Sequence, residues 1–147
     1  MTRIPQASAI PYRIRSGAPE YLLVTTQKGN WIFPKGIIED GETAEAAALK
    51  EAFEEAGARG RIQGAAIGRY AYEKWDSVCD VAVFLLDVEA LDEVWLEQGE
   101  RERAWFSFDE AREAVKGKRL RAVLERAQAI LAGSTPPRSA GSSGPGT

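Results

Sequence analysis

The sequence predicts an α/β domain, and three observations predict it. Ile10, Tyr12 and Ile14 alternate with Pro11, Arg13 and Arg15, the period of a half-buried strand. Val81-Ala82-Val83-Phe84-Leu85-Leu86 is an apolar run that reads as a core strand. Leu120, Val123, Leu124, Ala127, Ile130 and Leu131 recur at helical spacing.

The other elements follow in order. Ser16-Gly17-Ala18-Pro19 is a turn, and Tyr21 to Thr25 is a short buried strand. Lys28-Gly29-Asn30 turns the chain again before the brief aromatic segment Trp31-Ile32-Phe33. A helix is expected over about Thr43 to Ala56, with Thr43 as N-cap and Gly57 as its stop. Strands are expected near Arg61–Ile67, Arg69–Tyr72, Asp80–Val88 and Arg103–Phe106. Ser107-Phe108-Asp109-Glu110 has the spacing of a capping box and opens a second helix ahead of the third. Residues 133–147 are Gly/Ser/Pro-rich without a large apolar side chain and read as a disordered tail behind a domain over 1–132.

Composition narrows the chemistry. The chain has 147 residues, 44% of them hydrophobic and 28% charged, enough to bury a core in one domain. Its net charge of −3 supplies no global basic field, so stable nucleic-acid binding is not expected. Cys79 is the single cysteine, which permits no internal disulfide and fits a reducing, cytoplasmic setting. No secretory signal or membrane-spanning run is read, so no membrane partner is expected. Oligomeric state is not legible. There is no histidine, which excludes histidine metal sites, Ser-His-Asp triads and a histidine base.

The helix from Thr43 carries the densest chemistry. With Leu49 taken as zero and about 100° per residue, Ala52, Phe53 and Ala56 fall within roughly 60° of it as an apolar stripe. Glu51, Glu54 and Glu55 fall at roughly 200°, 140° and 240°. Like charges at this spacing repel, so such a patch calls for a cation. Hard carboxylate oxygens suit Mg²⁺ or Mn²⁺, and through the metal phosphate chemistry. Ala44, Ala47 and Ala48 flank the acidic face, and their small size would leave room for metal and substrate.

Gly36, five residues, Glu42, seven residues and then Lys50-Glu51-Ala52-Phe53-Glu54-Glu55-Ala56-Gly57 resembles the Nudix box. Every fixed Gly and Glu of that box is in place. Lys50 replaces the box arginine, and Ala52 and Ala58 stand where bulkier apolar residues are usual. The resemblance covers about Ala7 to Leu131 and implies the Nudix fold, a mixed β-sheet sandwiched between α-helices. Trp31-Ile32-Phe33-Pro34-Lys35-Gly36 and the stretch Trp95 to Ala111 look like the branch that contains diphosphoinositol polyphosphate and diadenosine polyphosphate phosphohydrolases.

That resemblance implies an enzyme, a Mg²⁺- or Mn²⁺-dependent pyrophosphohydrolase acting on a small phosphorylated molecule. Glu51 and Glu55, with the Gly36 carbonyl and the neighbouring Glu54, would form the metal site. Glu54 would be the general base; other members assign the base to the position of Glu51 or to a carboxylate outside the box, for which Glu97, Glu100 and Glu102 are candidates. Glu42 would orient the box, and Lys50 would hold the first helix glutamate, with less directional grip than arginine's planar fork. Lys35 would stabilise the leaving phosphate.

Arg13, Arg15, Lys28, Lys35, Arg69 and Lys74 are candidate phosphate cations along one mouth of the sheet. Trp31, Tyr72 and Trp75 are candidate adenine platforms. Diadenosine polyphosphates and diphosphoinositol polyphosphates head the substrate classes. ADP-ribose, an RNA 5′ end and a non-catalytic nucleotide sensor remain as alternatives. A diphosphate isomerase would want catalytic cysteine around the box, and Cys79 lies outside it.

Overall fold

The computed structural model describes residues 2–134. The described residues form seven strands and three helices in the order β1 (Thr2–Arg15), β2 (Ala18–Thr25), β3 (Trp31–Ile32), β4 (Lys35–Ile37), α1 (Ala44–Ala56), β5 (Ala58–Lys74), β6 (Ser77–Leu91), β7 (Arg103–Ser107), α2 (Phe108–Ala114) and α3 (Lys118–Ser134). The strands form one mixed sheet with the path β3-β2-β1-β6-β5, to which β4 adds on β1 and β7 on β2. β1 is the axis. It runs parallel to β6 from Thr2 to Tyr12 and antiparallel to β2 from Tyr12 to Arg15. Its early residues Gln6, Ala7 and Ser8 also pair with Ile37, Gly36 and Lys35 of β4.

The sheet is covered on both faces, as alternation along each strand requires. α1 seals one face, where Ala7, Ala9, Leu22, Val24, Ala82, Phe84 and Leu86 are buried. α2 and α3 seal the other, over Ile10, Tyr21, Leu23, Phe33, Val81, Val83 and Leu85.

Several expectations are revised. The expected strands Arg61–Ile67 and Arg69–Tyr72 are one strand, β5, interrupted by a bulge between Gln63 and Gly68. The three-residue β4 was not anticipated, because Pro34-Lys35-Gly36 carries no strand pattern. Gly133 and Ser134 continue α3 rather than opening the tail; the rest of the expected tail, 135–147, lies outside the described residues.

The helix itself starts and stops as its sequence dictates. The Thr43 hydroxyl accepts from the Ala46 N–H at 3.0 Å. At the other end Gly57 adopts a left-handed φ of 66°, and its N–H reaches the carbonyls of Ala52 and Phe53. Ser107 and Glu110 make both bonds of the capping box of α2.

The core-facing side of α1 is turned from the one expected. Ala47, Ala48, Ala52, Ala56 and the carboxylate-bearing Glu55 are buried, while Phe53 is 37% exposed beneath the Arg59 guanidinium. The alanines do not open space for substrate. Ala47 and Ala48 sit fully in the core and let the helix backbone lie close to the sheet. Close approach is what brings a helix glutamate down against β4.

Gly57→Ala is expected to destabilise the protein by about 1–2 kcal/mol, since a methyl there must adopt positive φ. The new Cβ would also stand 2.8 Å from Arg103 Nη1, the group that donates to the Ala56 carbonyl. Urea unfolding with an unchanged midpoint would refute this.

Candidate functional site

Gly36 and Glu51 define the centre. A Cβ built on Gly36 would fall 2.3 Å from the Glu51 carboxylate carbon, so only glycine leaves room for that carboxylate against β4. Glu55, one turn further along α1, is 3% exposed. Its Oε1 is buried without a hydrogen-bond partner, 3.7 Å from Arg101 Nη2. Burial is the main cause that pushes the Glu55 carboxyl up from 4.5 to about 9. The Arg101 charge opposes that rise, and the side-chain contact with Glu51 adds to it. Burial likewise raises Glu51, partly offset by its hydrogen bond with Glu55. The two acids interact closely enough to titrate as a pair, and burial raises both.

A buried carboxylate with an orphan oxygen is costly unless a cation meets it. The cradle at Gly36 and the hard oxygens of Glu51 and Glu55 fit a divalent ion such as Mg²⁺ or Mn²⁺. Among the described residues no three carboxylate or thiol groups converge on one point. Glu54 therefore stands apart from the Glu51–Glu55 pair in place, although its charge is felt at Glu51.

Arg101 is the residue that sequence reasoning missed. Its guanidinium donates from Nε to Glu97 at 2.7 Å and from Nη1 to the Thr25 carbonyl at 2.9 Å, and lies beside Glu55. The available signal was its spacing, four residues after Glu97 in an acidic stretch. Glu97 is drawn into the site by this contact, and its backbone N–H donates to the Glu54 carbonyl at 3.0 Å. Glu102 instead serves the scaffold: its carbonyl accepts from the Thr25 N–H, and its own N–H donates to the Thr25 hydroxyl.

Lys50 is placed differently from expectation. It pairs with Glu42 at 2.9 Å, not with Glu51, and Glu42 also accepts from the Glu39 N–H. The Lys50 contact holds the Glu42 carboxyl below its usual range. The pair staples the loop between β4 and α1 onto the helix.

Three of the expected cations do gather. Lys28, Lys35 and Lys74 line a cleft of about 460 Å³ together with Arg101, Glu100, Thr26, Gln27, Asn30 and Ile32. Lys35 links this cleft to the carboxylates. Its Nζ donates to Tyr72 Oη at 2.9 Å, and Tyr72 donates to Gln6 Oε1. Burial lowers the Lys35 ammonium, opposed first by the charge of Glu55.

Arg13 lies elsewhere. It pairs with Glu20 at 2.8 Å and stacks on Trp105, six residues along β1 from the Ala7–Gly36 pairing, or roughly 20 Å. Strand periodicity assigns a face, not a distance along the strand. Trp75 is 80% exposed at the tip of the β5–β6 hairpin under Lys74, and the Tyr72 ring is covered by Lys35. Trp31 packs edge-on against Phe106 and lines a space of about 400 Å³ that shares Thr26, Gln27, Glu100 and Arg101 with the main cleft.

The family model of the NUDIX domain matches residues 3–127. The chain belongs to the Nudix family. Nudix hydrolase 4 of Arabidopsis thaliana is 36% identical over 127 residues, 79% of this chain and 61% of that protein. The chain spans about six tenths of the length of the first curated Nudix relatives it matches. The asymmetrical bis(5′-nucleosyl)-tetraphosphatase of Sus scrofa is 30% identical over 125 residues, 81% of this chain and 85% of that one. Among solved structures, the C. elegans Ap4A hydrolase superposes with a TM-score of 0.74 at 25% identity, covering 90% of this chain and all of that one. The Nudix sheet and helices are thus shared. No described helix of this Nudix domain is long and apolar enough to cross a membrane.

The titration of Glu55 has a measurable sign. Between pH 4.5 and about 9 the folded protein holds a proton that the unfolded chain releases. The stability this provides is complete below pH 4.5 and is lost as the pH rises through that window, with Glu51 acting in the same direction. In EDTA the thermal midpoint of the wild type is expected to fall across the window. Glu55→Gln should flatten the fall, and excess Mg²⁺ should cancel it in the wild type. Identical slopes for wild type and Glu55→Gln would remove Glu55 as the cause.

Proposed function

We propose that the protein is a pyrophosphohydrolase that cleaves a diphosphate linkage in a nucleoside or inositol diphosphate joined to a further group. Diadenosine polyphosphate is the favoured substrate class. The observation that carries this reading is the acid pair Glu51–Glu55 held at Gly36 beside a cleft whose cations are Lys28, Lys35, Lys74 and Arg101. In this reading the carboxylates serve a divalent ion and the cations serve phosphate. The nucleotide preference is supported by two similarities, to the pig tetraphosphatase and to the C. elegans Ap4A hydrolase.

Each side chain has a role in this reading. Glu51, Glu55 and the Gly36 carbonyl would hold Mg²⁺ or Mn²⁺, which would supply charge neutralisation at the linkage being cleaved. Glu54 takes the proton of the attacking water as general base. Lys35 and Arg101 meet the charge that builds on the leaving phosphate. Lys28 and Lys74 hold the remaining phosphates, and Trp31 offers the stacking surface for a base. Glu42 and Lys50 position the loop that presents Gly36 and act through it, not on the substrate. A small-molecule substrate fits the modest size of the cleft, and the reaction needs no membrane. A cytoplasmic setting accords with the single reduced cysteine, Cys79.

Glu54→Gln is expected to lower kcat by about 10²- to 10⁴-fold while the fold is retained. Undiminished phosphate release by a folded variant would move the base elsewhere, with Glu97 next to be tested. Across a panel of diadenosine polyphosphates, inositol pyrophosphates, nucleoside triphosphates and ADP-ribose with Mg²⁺ or Mn²⁺, the highest kcat/KM is expected for a diadenosine polyphosphate. Turnover of none of them would favour a nucleotide sensor.

A further inference from the structure

A second cleft lies on the α3 side of the sheet, next to the first. It has a volume of about 240 Å³ and is lined by Lys35, Lys74, Lys116, Lys118 and Arg119. No carboxylate lines it. That composition is unusual for this chain, whose 22 acidic residues outnumber its 19 basic ones. Elsewhere several arginines are neutralised in place, as in Arg3–Asp80, Arg13–Glu20, Arg59–Asp92 and Arg112–Glu125. The five cations of the second cleft take part in no ion pair among the described residues. Lys35 feels the charge of Glu55 and Glu51, whereas Lys74, Lys116, Lys118 and Arg119 have no carboxylate lining their side of the cleft, an arrangement that favours a bound anion.

The floor supports the same chemistry. Tyr70 and Tyr72 stand with ring centroids 6.4 Å apart, and the Tyr72 hydroxyl fixes Lys35 between the clefts. Ile32, Lys35 and Lys74 line both spaces. A phosphate chain that starts at the Glu51–Glu55 pair and passes Lys35 therefore runs on into the second cleft.

We propose that Lys116, Lys118 and Arg119 form a distal phosphate subsite for substrate phosphates beyond the linkage that is cleaved. The substrate is then one whose phosphate groups extend past a single diphosphate. This rests on the reading given under the proposed function, but its binding test does not require turnover.

The test uses the full chain in EDTA, with inorganic tripolyphosphate as probe and calorimetry as readout. Lys116→Ala/Lys118→Ala/Arg119→Ala is expected to bind it about tenfold more weakly, each exposed cation contributing a few-fold, with a shallower dependence on salt. All three side chains are exposed, so the unfolding midpoint should be retained; Lys116→Gln/Lys118→Gln provides a milder second variant. In activity assays the triple variant should raise KM for diadenosine tetraphosphate and leave ADP-ribose, with its single diphosphate, unchanged. Equal tripolyphosphate affinity in wild type and both variants overturns the subsite. If no substrate is turned over, the hydrolase reading fails while the tripolyphosphate result still decides this one.

Discussion

The structure depends on two neighbouring carboxylates of α1, one half-buried against β4 and the other sealed in the interior. Glu51 is pressed against the Gly36 backbone, and Glu55 is nearly sealed with one oxygen unpartnered. Desolvating a carboxylate is among the most costly events in folding. The remaining features of the site reduce or exploit that cost. Arg101 supplies a partial counter-charge from β2's far side, itself anchored to the Thr25 carbonyl and Glu97. Alanines at positions 47, 48, 52 and 56 let α1 settle onto the sheet with its acids still attached to the same face. A bulkier stripe would lift the helix and separate Glu51 from Gly36.

This also explains which parts were legible in the sequence. Caps are local, so Thr43, Gly57 and Ser107 could be assigned to helix ends from their neighbours alone. The acidic spacing on α1 was equally local and led to the correct helix. Its rotation was not local. The sequence places Phe53 in the apolar stripe by size, yet the sheet accepts only small residues there, so Phe53 turns outward beneath Arg59. Packing distance overrode hydrophobicity.

The site was half legible for a similar reason. Gly36, Glu51 and Glu55 are tied by a fixed spacing, and Lys28, Lys35 and Lys74 flank turns that fall at one sheet mouth. Arg101 belongs to a segment without regular structure, and nothing in its sequence says that it folds back onto α1. Arg13 shows the converse. Its alternation with Tyr12 and Ile14 assigned a strand correctly but not its distance from β4, and it is spent on Glu20 and Trp105. Lys50 illustrates a competition between two partners. Glu51 follows Lys50 directly on α1 and points about 100° away, whereas Glu42 in the preceding loop faces it and takes the pair.

Charge placement then accounts for how an acidic domain can hold an anionic ligand. A net charge of −3 repels phosphate at long range. At physiological salt that repulsion is screened within about 8 Å. Inside a cleft the local set decides, and here Lys28, Lys35, Lys74 and Arg101 outweigh the single carboxylate, Glu100. Lys35 is the joint between this cleft and the acid pair, since it feels Glu55 and Glu51 while lining the cleft. Removing its charge would leave the acids less compensated and the cleft less cationic. The same ammonium is held in place by Tyr72, whose hydroxyl is in turn fixed by Gln6, so its position between the acids and the cleft is set by the sheet.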